Sequence, residues 1–123
     1  METQEKIETI TINGIEYVRK GAGLAESVDG MPYVIVRTYS AGVHAGYMKK
    51  RDGKEVLLIN SRRLWYWKGA ASLSQLAVDG VSKPDECKFP CELPALTLTE
   101  AIEIIPCTET AIKSIKGVKV WKA

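Results

Sequence analysis

Residues 62–68 read Arg-Arg-Leu-Trp-Tyr-Trp-Lys, three cations interleaved with three aromatic rings. A guanidinium offers a planar fork of donors that matches phosphate or carboxylate, and an indole offers a face on which a flat base can stack. A ligand carrying both an anionic group and a planar ring would use both. Nucleotides and single-stranded nucleic acids fit that description, whereas an acidic protein patch would use the cations. The enrichment reaches beyond these seven positions. Residues 37–68 hold Arg37, Lys49, Lys50, Arg51, Lys54, Arg62, Arg63 and Lys68 against only Asp52 and Glu55, together with five of the nine aromatics. The segments on either side carry a slight negative excess. Arg37, Arg62 and Arg63 are therefore candidate anion contacts, and Trp65 or Trp67 a candidate stacking ring. The plainer alternative is that the indoles anchor a core while the bases line solvated strand edges, where they discourage aggregation.

A second constellation is Thr38-Tyr39-Ser40-Ala41-Gly42-Val43-His44-Ala45-Gly46. Small residues admit a close backbone approach, and His44 is the single histidine of the chain, the one side chain whose unperturbed pKa lies near neutrality. Ser40 and His44 are candidate hydrogen-bonding groups for the same anion, although a tight turn with a satisfied histidine is the plainer reading of the pattern. The stretch matches neither the phosphate-binding loop nor the dinucleotide fingerprint. Ser72 stands where a helix begins, directly after the Arg/Trp segment. Helix N-termini present free N–H groups to anions, and plain capping is the simpler role. Cys87, Cys91 and Cys107 together with His44 supply zinc-type ligands in name, but the paired knuckles of a structural site are missing, and the expectation is no metal and no cofactor. An odd cysteine count fits reduced thiols better than a disulfide framework. No spacing supports a catalytic triad, Glu100 and Glu103 suggest no catalytic dyad, and the basic segment is poor in the carboxylates a metal-dependent nuclease needs.

The elements that must position these groups follow from periodicity. Ile7 to Ile12 and Ile15 to Arg19, joined by Asn13-Gly14, predict an N-terminal β-hairpin over residues 1–20. Residues 20–30 read as a flexible connection to a main domain over 31–123. The continuous apolar run Tyr33-Val34-Ile35-Val36 predicts a buried strand over 32–37. Strands over 43–48, 55–60 and 62–67 follow, with Asp52-Gly53 closing one hairpin. In an extended 62–68 segment, Arg62, Leu64 and Tyr66 would share one face, and Arg63, Trp65 and Trp67 the other. Leu73, Leu76 and Ala77 recur at helical spacing, with Ser72 and Gln75 as a capping pair and Gly80 as the stop. Residues 81–95 predict an irregular loop, and Leu96 to Ile105 a strand. Thr108 predicts a capped helix ending at Gly117, and residues 118–121 a terminal strand. The fold class is thus α+β: an antiparallel meander of five to seven strands, covered by one or two short helices through Leu73, Leu76, Ile102, Ile104, Ile112 and Ile115.

With 123 residues, 46 % hydrophobic and 26 % charged, the chain has the composition of one ordinary globular domain, which excludes wholesale disorder. No apolar run approaches the ~20 residues of a membrane span. The polar, acidic start resembles neither a secretory signal nor a transit peptide, so the expected setting is intracellular with no membrane partner.

The strings MPYVIVRTYSAGVHAGYMKKRDGKEV (31–56), RRLWYWKGAASLSQLA (62–77) and LTEAIEIIPCTETAIKSI (98–115) resemble an uncharacterised family of small proteins of tailed phages and prophages. The resemblance implies a viral origin and a place in the host cytoplasm or the virion, and it transfers no activity. The expected function is a non-enzymatic binding protein that captures a small anionic, nucleotide-like ligand or a host protein. The candidate contacts are Arg37, Ser40, His44, Arg62, Arg63, Trp65, Trp67 and Ser72. A virion-associated interaction module and a single-stranded nucleic-acid binder are the alternatives, and an edge strand leaves a homo-oligomer open.

Overall fold

The computed structural model describes residues 23–123 together with the backbone of two strands, β1 (Thr9–Ile12) and β2 (Ile15–Val18). These two pair antiparallel from Thr9↔Val18 to Ile12↔Ile15, as a hairpin requires, and form a sheet of their own. Its Asn13-Gly14 turn lies outside the described residues, as do residues 20–22 of the connection. The rest of that connection is tied down, contrary to its flexible composition. Ala25 N–H donates to Cys107 O at 3.1 Å. Val28 and Met31 exchange backbone hydrogen bonds of 3.0 and 2.9 Å around Asp29-Gly30. Both turn residues have positive φ, 53° and 77°, the requirement of a two-residue type I′ turn.

Five further strands form one antiparallel sheet: β3 (Tyr33–Thr38), β4 (Val43–Asp52), β5 (Glu55–Arg63), β6 (Leu93–Leu98) and β7 (Ala101–Pro106). Their spatial order is β6-β5-β4-β3-β7. Four strands make the expected meander, but β7 pairs with β3 at the far edge. Only Thr99 and Glu100 separate β6 from β7. In a flat sheet the edge strands would stand about 19 Å apart, four spacings of ~4.8 Å. The three Cα steps from Leu98 to Ala101 reach ~11 Å. The sheet must therefore curl until its edges meet. Ala101 N–H donates to Lys54 O at the tip of the β4–β5 hairpin, and Tyr39 N–H donates to Glu100 O, both at 3.0 Å. The chain turns a corner there, so the expected single strand from Leu96 to Ile105 is two strands on opposite edges.

Register shifts supply the bending. Between Ala45/Arg62 and Tyr47/Ile59 the β5 strand carries one residue more than β4, and between Met48/Leu58 and Lys50/Leu57 the excess lies on β4. Asn60, at the first shift, adopts φ 50°. Such bulges kink a strand and increase its twist. They also set which side chains face inward. Val34, Val36, Val56, Leu58, Leu98 and Ala101 close on one another inside the curl. Tyr33, Ile35, Ala45 and Leu64 face the other way, onto the helices. The strand of continuous apolar residues is thus buried on both faces, as its composition demands. Gly46 is needed where the bulged strands β4 and β5 approach closely. A Cβ there would stand 2.8 Å from Ser61 Cα.

Helix α1 (Leu73–Asp79) starts at Ser72, whose Oγ accepts from Gln75 N–H at 3.1 Å, and stops at Gly80 with φ 77°. Gln75 Oε1 reaches back to Ala71 N–H, one residue before the cap, at 2.7 Å. Helix α2 (Glu109–Gly117) starts at Thr108, whose Oγ1 accepts from Ala111 N–H. Leu76, Ala77, Ala111, Ile112 and Ile115 bury the helix faces against the sheet. Ile102 does not join them and is exposed, because it is the extra residue of a bulge between Arg37/Glu103 and Thr38/Ala101. Two further expectations fail. Residues 64–67 leave the sheet after Arg63, and residues 118–121 make one bridging pair, Phe89↔Val120, instead of a strand. The irregular loop expected over 81–95 narrows to a short 3-10 turn, Pro84–Glu86, with its flanks, since β6 begins at Leu93.

Replacing Gly46 by Ala should destabilise the protein by about 1–3 kcal/mol in urea unfolding, since the contact is with backbone and only a strand shift relieves it. Gly53→Ala, where the added carbon meets open space but φ is 61°, should cost less than Gly46→Ala if steric contact is the controlling factor.

Candidate functional site

The two adjacent arginines leave β5 on opposite faces. Arg62 points to the helix side and is buried. Its Nε donates to Pro90 O at 3.0 Å, its Nη1 to Ile115 O at 2.8 Å and its Nη2 to Phe89 O at 3.2 Å. Ile115 lies in the last turn of α2, where the helix dipole favours a cation. The guanidinium also lies 5.5 Å from the centre of the Phe89 ring. Burial pulls its pKa below the usual arginine value, yet arginine remains a cation in proteins. Arg62 thus ties β5 to the 89–90 segment and to α2, with each guanidinium nitrogen donating to a carbonyl of the protein itself.

Arg63 faces the inner side, where its Nη1 donates to Ala41 O at 2.8 Å. His44 Nε2 donates to the same carbonyl at 2.8 Å, which leaves Nδ1 as the bare nitrogen. Around them, Thr38 N–H and Oγ1 both donate to Gly42 O, and Ala41 N–H donates to Thr38 Oγ1 at 2.8 Å. The small residues singled out in the sequence therefore build a self-bonded loop braced from beneath by His44. Ser40 Oγ donates to Glu100 at 3.2 Å, and Arg37 Nε to Glu103 at 2.9 Å. The latter pair is exposed on both sides, a setting in which ion pairs add little stability.

Trp65 is the one candidate ring left open to solvent, 58 % exposed. It stacks on Trp121, itself 43 % exposed, with ring centres 5.1 Å apart and planes 16° from parallel. The Lys88 ammonium sits 5.5 Å from the Trp65 ring, 5.8 Å from Tyr66 and 5.7 Å from Trp121. Three short segments create this platform. Tyr66 and Lys88 exchange backbone hydrogen bonds, and Trp121 N–H donates to Phe89 O at 2.9 Å. Leu64 and Phe89 point into the core, so their neighbours Trp65 and Lys88 point out. Trp67 is half-buried against the helix-side core, not beside Trp65 as an extended 62–68 segment would place it. Ser72 is committed to capping α1.

The eight predicted residues are therefore dispersed. Ser40, His44 and Arg63 gather at the 39–42 loop, Arg37 pairs across β7, and Arg62 and Ser72 serve the scaffold. Trp65 stands with Trp121 and Lys88, which sequence reasoning did not select. Both lie far from residue 65 in the chain, and alternation around the buried Phe89 was the only local hint for Lys88. Among the described residues no group of three or more His, Cys, Asp and Glu side chains is placed to hold a metal. Cys87 and Cys107 are buried and Cys91 is exposed. Burial pushes the Cys107 thiol up to about 12, so it stays protonated at neutral pH.

Residues 31–115 match the model of a domain of unknown function, DUF6948, and the chain belongs to that family. The match includes Trp65 and Lys88 and stops short of Trp121. No curated protein and no solved structure matches the chain.

Burial, and secondarily the neighbouring Arg63 charge, hold His44 below its usual pKa of 6.5 despite its bond to Ala41. The unfolded chain then takes up a proton that the folded protein refuses. His44 should therefore cost stability as pH falls below about 6.5, with the loss levelling off beneath the folded-state pKa. Thermal melts between pH 7.5 and about 4.5 should show a smaller drop for His44→Gln than for wild type. Arg62→Ala should cost about 3 kcal/mol or more, because it removes three hydrogen bonds to carbonyls and empties the buried site of a large side chain, and Arg62→Lys should not restore it, because an ammonium lacks the planar fork. Urea unfolding of both variants measures this.

Proposed function

We propose that the protein is a non-enzymatic binding module that captures a flat, anionic, nucleotide-like ligand on the Trp65–Trp121 platform. The observation that carries this is the exposure of two parallel indoles beside a common cation. Large aromatic rings are normally drawn into cores or interfaces, and this stack leaves an outer ring face on which a base can lie. Lys88, already held near three rings, meets the negative charge of the ligand. The non-enzymatic character rests on His44, which is 1 % exposed and committed to Ala41. The sequence resemblance to small phage and prophage proteins supports a viral origin and a role in the host cytoplasm. The β1–β2 hairpin, outside the matched segment, is read as an appended element.

Titration calorimetry of the full chain with mono-, di- and cyclic nucleotides tests the reading. At least one should bind, and Trp65→Ala should weaken it by about tenfold or more, the size of one lost base–aromatic stack. Lys88→Ala should weaken it and flatten its salt dependence, while Lys50→Ala on the β4–β5 hairpin should leave it unchanged. Absence of heat with every nucleotide at protein concentrations near millimolar would remove the small-ligand function. Tyr66 and Val120 flank the platform and are also exposed, which makes a protein partner the second reading.

A further inference from the structure

On the inner face of the curled sheet the cluster of Val34, Val36, Val56 and Leu58 is apolar, and polar groups face inward beside it near the 39–42 loop. Two polar atoms there meet no partner among the described residues, His44 Nδ1 and Ser61 Oγ. Ser61 is 0 % exposed and His44 almost equally buried. The bulge at Asn60 decides their placement. It shifts the parity of β5, so that Ser61 and Arg63 face inward on the same side as His44 and Gly46 of the neighbouring strand. In register, His44 stands opposite Arg63, and Ser61 lies one diagonal step away, against Gly46.

Buried polar groups are almost always hydrogen-bonded, and an orphan costs about 1–3 kcal/mol. The two atoms are chemically complementary. Because Nε2–H is given to Ala41 O, Nδ1 offers a bare lone pair and needs a donor. The Ser61 hydroxyl can donate once and accept twice. An anion is disfavoured by the Nδ1 lone pair. A cation is disfavoured by the Arg63 guanidinium, whose Nη1 is 3.4 Å from Nε2. A bulky ligand is disfavoured by the close approach of the strands at Gly46. What fits is small, neutral, and able both to donate and to accept.

We propose that one internal water molecule bridges His44 and Ser61, donating to Nδ1 and sharing a second hydrogen bond with Oγ. A buried water makes roughly two to four hydrogen bonds, and these two atoms supply the first two. The water satisfies the bare Nδ1 of the tautomer that Ala41 O already selects, and Ser61 is its second anchor.

Crystallography and ring-nitrogen NMR of the full chain test this. The expected result is a peak within ~2.7–3.2 Å of both atoms, a protonated Nε2 and a hydrogen-bonded Nδ1, with a long-lived water signal to the His44 ring. In Ser61→Ala the Nε2 proton should persist while the water exchanges faster, and in His44→Phe the crystallographic peak should vanish. The wild-type measurements stand even where a variant fails to fold. A proton on Nδ1, a direct Ser61–His44 hydrogen bond, or a peak-free interior in well-ordered density would each overturn the proposal.

Discussion

Two residues, Thr99 and Glu100, join strands on opposite edges of the five-stranded sheet, and this short corner constrains everything else. A chain that cannot span a flat sheet obliges the sheet to close. Closure buries Val34, Val36, Val56 and Leu58 in a cluster built, among the described residues, from strands alone. It also requires the long β4–β5 hairpin to bend, and the bulges at Asn60 and near Lys49 provide the bend. Corners made by strands that change sheets at bulges are the general solution where sheet directions cross. The bulge parity then decides that Arg62 faces the helices and Arg63 the interior mouth, so a constraint set at residues 99–100 fixes the chemistry at residues 62–63.

Arg62 carries that constraint to the surface. Its guanidinium holds the carbonyls of Phe89 and Pro90, which seats Phe89 in the core and turns Lys88 outward. The same anchored segment pairs with Tyr66 on one side and with residues 120–121 on the other. Trp65, Lys88 and Trp121 meet because each is the outward neighbour of an inward-held residue or backbone bond. The exposed platform is thus a consequence of burial beneath it. A buried arginine on carbonyls is an expensive anchor, since desolvation must be offset by good geometry, and the three donor distances of 2.8–3.2 Å supply it.

The local elements were legible in the sequence. Ser72 and Thr108 cap the helices they announce, Gly80 ends the first, and the strands at Tyr33, Val43 and Glu55 start within a residue or two of the apolar periodicity. These signals are local because caps and turns bond within a few residues. What escaped is non-local. Nothing around Leu96–Ile105 marks the corner, since Thr99-Glu100 lacks the Gly or Pro that usually punctuates a turn. The Asp29-Gly30 turn was hidden by its loop-like neighbours. The alternation of residues 62–67 is genuine to Leu64 and ends there, because the chain leaves the ladder for a bridge with Lys88. His44 is legible in the sequence as a chemical group, whereas its burial under the 39–42 loop depends on a partner strand whose register the sequence does not display.

The concentration of positive charge in residues 37–68 shows why linear density misleads in a sheet protein. Side chains alternate faces along a strand, so neighbours in sequence separate in space. Arg62 enters the core, Arg63 braces a loop, Arg37 pairs with Glu103, and Lys49, Lys50, Arg51 and Lys54 gather at the far end of the hairpin. That hairpin end and Trp65 lie at opposite ends of β5, a strand of nine residues and hence ~30 Å long. At physiological salt, charges that far apart are screened from one another by several Debye lengths. The cations therefore cannot act as one electrostatic surface, and the cation that counts at the aromatic platform is Lys88, supplied by a segment whose own composition is close to neutral.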